Sequence, residues 1–187
     1  MNELEIEKQQ GISWDYLADI PAKRKEIGDK YHFNGWGLGA VQFSFLAKAV
    51  IEELGPQKGE ALVRKAVEEF GRARGRRIAG IVKGLGKPLS LKNFLIYGDF
   101  DSTSFKSRAD IIDSELEVKW GKCDQWDTAQ EFGVGDYWKI SCRYFDDALK
   151  DGYNPEIGMI KETRHDTGQS HCMLRYITRD SDKTSVA

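Results

Sequence analysis

The residues in this sequence that could make or break a covalent bond are three thiols with a carboxylate and two histidines near them: Cys123, Cys142 with Asp146, and Cys172 beside His171, with His165 a few residues before. None of the cysteines has metal-knuckle spacing. Cys123 follows a strand-like run ending near Trp120 and opens a helical one, where unpaired backbone N–H groups and the helix dipole favour a thiolate. That makes it the best nucleophile candidate from local physics, against the alternative of a cysteine capping a packed junction. Cys142 and Asp146 are four apart on one helix face, with Trp138 a turn earlier. Buried beside Trp138, the Asp146 carboxyl would have a raised pKa and could move protons, while its charge would make Cys142 a poorer nucleophile. His171 and Cys172 are adjacent in a strand and so point to opposite faces, which rules out a pair formed by adjacency alone. His165 reads as an ordinary polar loop residue.

Two further clusters carry weaker chemistry. Arg72, Arg74, Arg76 and Arg77 could hold a carboxylate or phosphate, because guanidinium forks suit oxyanions. Glu68 and Glu69 beside them make intramolecular pairing the simpler account. Gly35, Gly37 and Gly39 form G-x-G-x-G without the preceding strand or the spacing of a dinucleotide loop, so no nucleotide cofactor is expected.

The elements that must position these groups can be read from periodicity. Residues 12–20 show helical spacing up to Pro21, residues 34–39 read as a glycine-rich loop, and an apolar, buried helix follows up to Leu54 before Gly55-Pro56. Apolar spacing predicts the longest helix over 57–84, with Gly71, Gly75 and Ala79 aligned at intervals of four, where another helix backbone or a ligand comes close. A short helical segment over 89–97 comes next. Residues 112–120 alternate with period two, as in a half-buried strand. Helices are expected over 124–132 and 135–150, ended by Gly133 and Asp151-Gly152, then two strands over 156–163 and 170–178 joined by a turn at 165–168. Helices segregated from hairpin-linked strands give an α+β class. Its architecture is a set of N-terminal helices on a small antiparallel sheet of about four strands, with two helices inserted between strands.

The 187 residues suit one domain, over 12–179, with polar ends at 1–11 and 180–187 expected to be flexible. A net charge of -2 gives no field to attract a polyanion, so nucleic acid is not an expected partner. No apolar stretch reaches the ~20 residues of a membrane span. The opening Met-Asn-Glu-Leu-Glu lacks the charged and apolar regions of a secretory signal, which points to the cytoplasm. Three cysteines are too few for a disulfide framework there. The apolar helices would suit a homo-oligomer, although no pattern fixes one.

The combined order of several short motifs resembles the L-2-amino-thiazoline-4-carboxylic acid hydrolase family. They are Glu68-Glu69-Phe70-Gly71-Arg72 with Arg74-Gly75, Leu116-Glu117-Val118-Lys119, Lys122-Cys123, Ser141-Cys142 with Asp146, Gly152-Tyr153-Asn154-Pro155, and Thr163, Gly168 and Cys172. The resemblance covers roughly residues 40–178 and departs at Asp124, where the family usually has proline. It implies a cytoplasmic bacterial enzyme that opens a cyclic C–N bond, and it is also similar to 4-vinyl reductase-like folds with four-stranded antiparallel sheets. Three readings follow. The first is a cofactor-free hydrolase of a small cyclic amide, amidine or thiazoline. In it Cys123 attacks or positions the ring, Asp146 moves the proton with Cys142 and Cys172 nearby, and Asn154, Arg72, Arg76 and His171 hold the substrate. The second brings two or three of Cys123, Cys142, Cys172, Asp146 and His171 together on zinc. The third is a non-catalytic sensor whose pocket is lined by Trp36, Trp120, Trp126 and Trp138.

Overall fold

The computed structural model describes residues 2, 5, 6, 9, 10, 33–99, 107–112, 115–121 and 123–178. The expected helix over 12–20 and the expected tail from residue 180 lie outside them. Two compact units, Met1–Phe33 and Asn34–Ala187, divide the chain. In the first, Asn2 and Glu5 cap each other: the Asn2 N–H donates to Glu5 Oε2 at 2.9 Å and the Glu5 N–H to Asn2 Oδ1 at 3.0 Å.

In the second unit the order is α1 (Gly35–Leu54), α2 (Pro56–Gly84), α3 (Leu91–Ile96), β1 (Ser107–Ile112), β2 (Glu115–Trp120), α4 (Asp124–Glu131), α5 (Gly135–Tyr153), β3 (Ile157–Thr163), a 3-10 turn (His165–Thr167) and β4 (Cys172–Thr178). The strands form one antiparallel sheet in the order β1-β2-β4-β3. The class is α+β, with α4 and α5 inserted between β2 and β3.

Four local readings change. The stretch 34–39 is not a loop: Asn34 is the N-cap, its side chain accepting from the Gly37 N–H at 2.8 Å, and the glycines are the first residues of α1. Gly37 has a positive function there, because a Cβ on it would strike the Thr128 side chain of α4. α1 is also not buried all round. It encloses Gly37, Ala40, Val41, Ser44 and Ala47, while Phe45 and Leu46 stay 48% and 62% exposed. The alternating run 112–120 is β2 plus the last residue of the strand before it, since Ile112 ends β1 and pairs with Glu115. Finally, Asp151-Gly152 does not stop α5, which continues to Tyr153.

That continuation and the glycine stripe have one cause. Gly71 and Gly75 of α2 face Ala148, Leu149 and Gly152 of α5, and a Cβ at Gly71 would lie 2.8 Å from both the Ala148 Cβ and the Phe145 carbonyl oxygen. At Gly75 a Cβ would collide with the Leu149 carbonyl, and at Gly152 with the backbone of Arg72. Two helix backbones therefore touch, and the neighbour expected at the stripe is a helix. Around this pair, Ala47, Val63, Val67 and Ile140 close the α1–α2–α5 interface, and Ile78, Val82, Phe94, Tyr153, Leu174 and Tyr176 fill the space between helices and sheet.

Candidate functional site

Helix α5 carries Trp138, Cys142 and Asp146 on one stripe, as the spacing of four requires. Trp138 is buried with Ala40 of α1 and Ala129 of α4, and Cys142 packs against that cluster together with Trp126 and Phe43. The Phe43 ring meets the Trp138 ring edge-on at 5.5 Å. Cys123 is the N-cap of α4, its Sγ accepting from the Trp126 N–H at 3.5 Å. Cys172 opens β4 directly opposite Trp120, the last residue of β2. The sheet register thus brings Cys172 to the strand end from which the chain runs on to Cys123. The His165 N–H donates to Cys172 Sγ at 3.3 Å.

All three cysteines are free thiols, half-buried, and their charges would act on one another. The helix start does not give Cys123 a thiolate. Burial pushes its thiol up to about 12, and the Trp126 N–H offsets only part of that. Cys142 is raised by burial first, then by Cys123, Asp166 and Asp146. Cys172 is raised by burial, against the His165 N–H. Desolvation of a small anion outweighs a single weak N–H···S contact, so all three stay protonated at neutral pH.

Asp146 is the carboxylate on this stripe. Its side chain keeps 25% of its surface, yet the surrounding protein removes enough water to push its carboxyl above the ordinary range, with Lys161 opposing and Asp147 adding to the rise. Lys161 Nζ lies 3.6 Å from Asp146 and 3.1 Å from Asp147. It also donates to the carbonyls of Cys142 and Arg143 at 3.2 Å and 2.9 Å. Periodicity in β3 could have flagged it. Ile157, Met159 and Lys161 share the inner face of the sheet, paired with Thr178, Tyr176 and Leu174, so the lysine stands where an apolar residue belongs. A bulge between Lys161 and Thr163 follows directly, the kind of irregularity that re-aims side chains beside a site.

The turn after β3 supplies Asp166, which the sequence did not single out, and places His165 in the interior. His165 and Asp166 are buried, each 8% exposed, whereas His165 reads in sequence as an ordinary loop residue. Among the described residues its Nε2, both carboxylate oxygens of Asp166 and the Trp138 Nε1 have no hydrogen-bond partner. Asp166 is ion-paired instead, to Arg164 Nε at 3.2 Å and Arg143 Nε at 3.6 Å.

The residues expected to hold a substrate lie elsewhere or are already engaged. Asn154 donates to the Leu89 carbonyl at 2.9 Å and accepts from the Glu156 N–H at 3.0 Å. Arg72 pairs with Glu68 at 3.3 Å and lines an open groove of about 230 Å³ with Arg64, Tyr144, Asp147 and Asp151. Arg76 is exposed on α2. Arg74 pairs with Asp99 at 2.6 Å. His171 is half-buried, its Nδ1 3.3 Å from Ser170 Oγ. Asp124 accepts from the Asn34 side chain and ties the starts of α1 and α4 together. Among the described residues no three His, Cys, Asp or Glu side chains are arranged to hold a metal ion. No helix of the described residues is long and apolar enough to cross a membrane.

The sequence model of the family described as L-2-amino-thiazoline-4-carboxylic acid hydrolase matches residues 37–176, which run from the first turn of α1 into β4. The chain belongs to this family. Its shared region contains the α5 stripe, all three thiols and the β3–β4 turn. Among curated proteins none matches. Among solved structures, the chain is similar to the phenol-responsive sensory domain of the transcription activator PoxR, determined with phenol, at 18% identity, with 73% of each chain covered and a TM-score of 0.44.

Proposed function

We propose that this protein is a hydrolase that opens a small cyclic amidine of the thiazoline carboxylic acid type at its ring C–N bond, with Asp146 moving the proton. The single observation that carries the assignment of roles is the half-buried carboxyl of Asp146, raised in pKa by desolvation, one turn from Cys142 and held by Lys161. Family membership supplies the substrate class.

A raised carboxyl next to an ammonium is suited to take a proton from water and return it. In this reading Asp146 accepts a water proton as the oxygen adds to the ring carbon between sulfur and nitrogen. That proton passes to the ring nitrogen, and the proton left on the added hydroxyl follows it through Asp146 as the carbonyl forms and the bond from nitrogen to that carbon breaks, so the nitrogen leaves carrying both water protons. A free amine and an S-linked thiocarbamate result, so one water is consumed and nothing is oxidised or reduced. The protonated thiols of Cys123, Cys142 and Cys172 wall the ring and position it, and do not attack. Cys123 takes the positioning role because its thiol is pushed far above neutrality.

Turnover of L-2-amino-thiazoline-4-carboxylate, followed by mass spectrometry as the gain of one water, tests the reading. Asp146→Asn is expected to lower kcat by about 10²–10⁴, the usual contribution of a general acid–base, with Cys123→Ala within tenfold of the parent. Failure of the unaltered protein to open this ring or any other cyclic amidine carboxylate would overturn the function. Full loss in Cys123→Ala, with a covalent adduct trapped on that residue, would move the chemistry from Asp146 to the thiol.

A further inference from the structure

A buried carboxylate with two guanidinium groups on it, at the edge of the thiol cluster, has no part in the proton transfer described above. The Asp166 side chain has no exposed surface, while Arg143 and Arg164 keep 42% and 27% of theirs. Both arginines approach Asp166 through Nε, at 3.6 Å and 3.2 Å. In both pairs Nε, and not an Nη, makes the shortest contact with the carboxylate. Among the described residues the only other ion pair of these two is Arg143 Nη1 with Glu60, at 3.9 Å and on the surface.

Charge and position then narrow the ligand. Two guanidinium groups share one fully buried carboxylate, and Glu60 meets Arg143 only at 3.9 Å in solvent; a guanidinium fork is the geometry that binds a further carboxylate in two parallel hydrogen bonds. A buried Asp with no hydrogen bond to either oxygen among the described residues is a costly way to fill a turn; fixing two long side chains in place gives it a purpose. The turn is joined to the cluster directly, since the His165 N–H next to Asp166 holds Cys172 Sγ. Arg143 is the residue after Cys142, and its carbonyl accepts from the same Lys161 that faces Asp146.

We infer that Arg143 and Arg164, held by the buried Asp166, form the binding site for the carboxylate of a ring substrate, with Asp166 as a positioning residue. This rests on the hydrolase reading and replaces Arg72, Arg76 and Asn154 in that role.

The test compares L-2-amino-thiazoline-4-carboxylate with 2-aminothiazoline, the same ring without the acid. The unaltered protein is expected to show a kcat/KM at least tenfold higher for the acid. Arg164→Gln and Arg143→Gln should each raise KM for the acid tenfold or more at nearly unchanged kcat, the signature of lost uniform binding, without altering kcat/KM for 2-aminothiazoline. Arg72→Gln should change neither. Because Arg164→Gln leaves Asp166 less compensated, the pair Asp166→Asn with Arg164→Gln, which removes both charges, is measured beside it after a thermal melt and should show the same KM rise. An unaltered protein that opens the acid and the acid-free ring equally well, or arginine variants with KM for the acid within twofold, would overturn this site and leave the hydrolase reading intact. An unaltered protein that opens neither ring would overturn both.

Discussion

Lys161 Nζ reaches from β3 to within 3.6 Å of the Asp146 carboxylate on α5, while holding two carbonyls of the same helix. The lysine therefore sets both the place and the proton affinity of the proposed acid–base group. Its charge is the main force holding the Asp146 carboxyl down against burial. Lys161→Met should raise that carboxyl further, by about one pH unit or more, the size expected for loss of an adjacent opposite charge. A base that protonates at higher pH is inactive over a wider acid range, so the acid limb of the kcat/KM profile should move to higher pH. A profile measured from pH 4 to 9 checks the direction; a limb that stays in place would separate Lys161 from Asp146.

The α2–α5 contact makes opposite predictions for two glycines of one helix. Alanine is favoured over glycine in a helix by about 1 kcal/mol. At Gly75 the new methyl would meet the Leu149 carbonyl, and at Gly80 it would meet nothing. Gly75→Ala should destabilise by about 1–3 kcal/mol or more, as overpacking does, and Gly80→Ala should stabilise by up to about 1 kcal/mol. Urea unfolding of the two variants reads both signs.

The thiols make the alkaline side of the stability curve steep. Cys123 ionises at about 12 in the folded chain and near 8.5 in an unfolded one. Between those values the unfolded state has lost the proton and the folded state keeps it. Stability is then highest below the unfolded value and falls as pH rises toward the folded one, by up to about 1.4 kcal/mol per pH unit for each such thiol. Cys123→Ala removes one contribution, so its unfolding free energy should fall less steeply than the parent's between pH 9 and 11. Parallel slopes would show that burial does not hold this thiol protonated.

Much of the fold was legible because its signals are local. The period of 3.6 over α2, the period of two in β2 and the glycine stripe each report one element or one contact. The start of α1 was misread because a cap and a tight helix contact both use the residues of a loop, Asn and Gly. The continuation of α5 through Gly152 depends on Arg72, eighty positions earlier in the chain. The same division holds at the site. Cys142 and Asp146 share a helix face by spacing alone. The partnership of Asp166 with Arg143 rests on packing between a helix and a turn, and the sign of the Cys123 shift on how much water the fold removes from it. Neither burial nor a non-local ion pair has a periodicity to be read.

Helix α5 also divides constancy from variation. Trp138, Cys142 and Asp146 span about 12 Å of one rod, from the rise of about 1.5 Å per residue, and the rod is clamped along its second half to the backbone of α2. Their mutual spacing is a fixed scale that no loop can stretch. Lys161, Arg164, His165 and Asp166 sit instead on a bulged strand and a three-residue turn, where one inserted or deleted residue would shift a charge by several ångströms without touching the core. Selection for a larger or differently charged ring would therefore act on the β3–β4 connection and leave the rod alone.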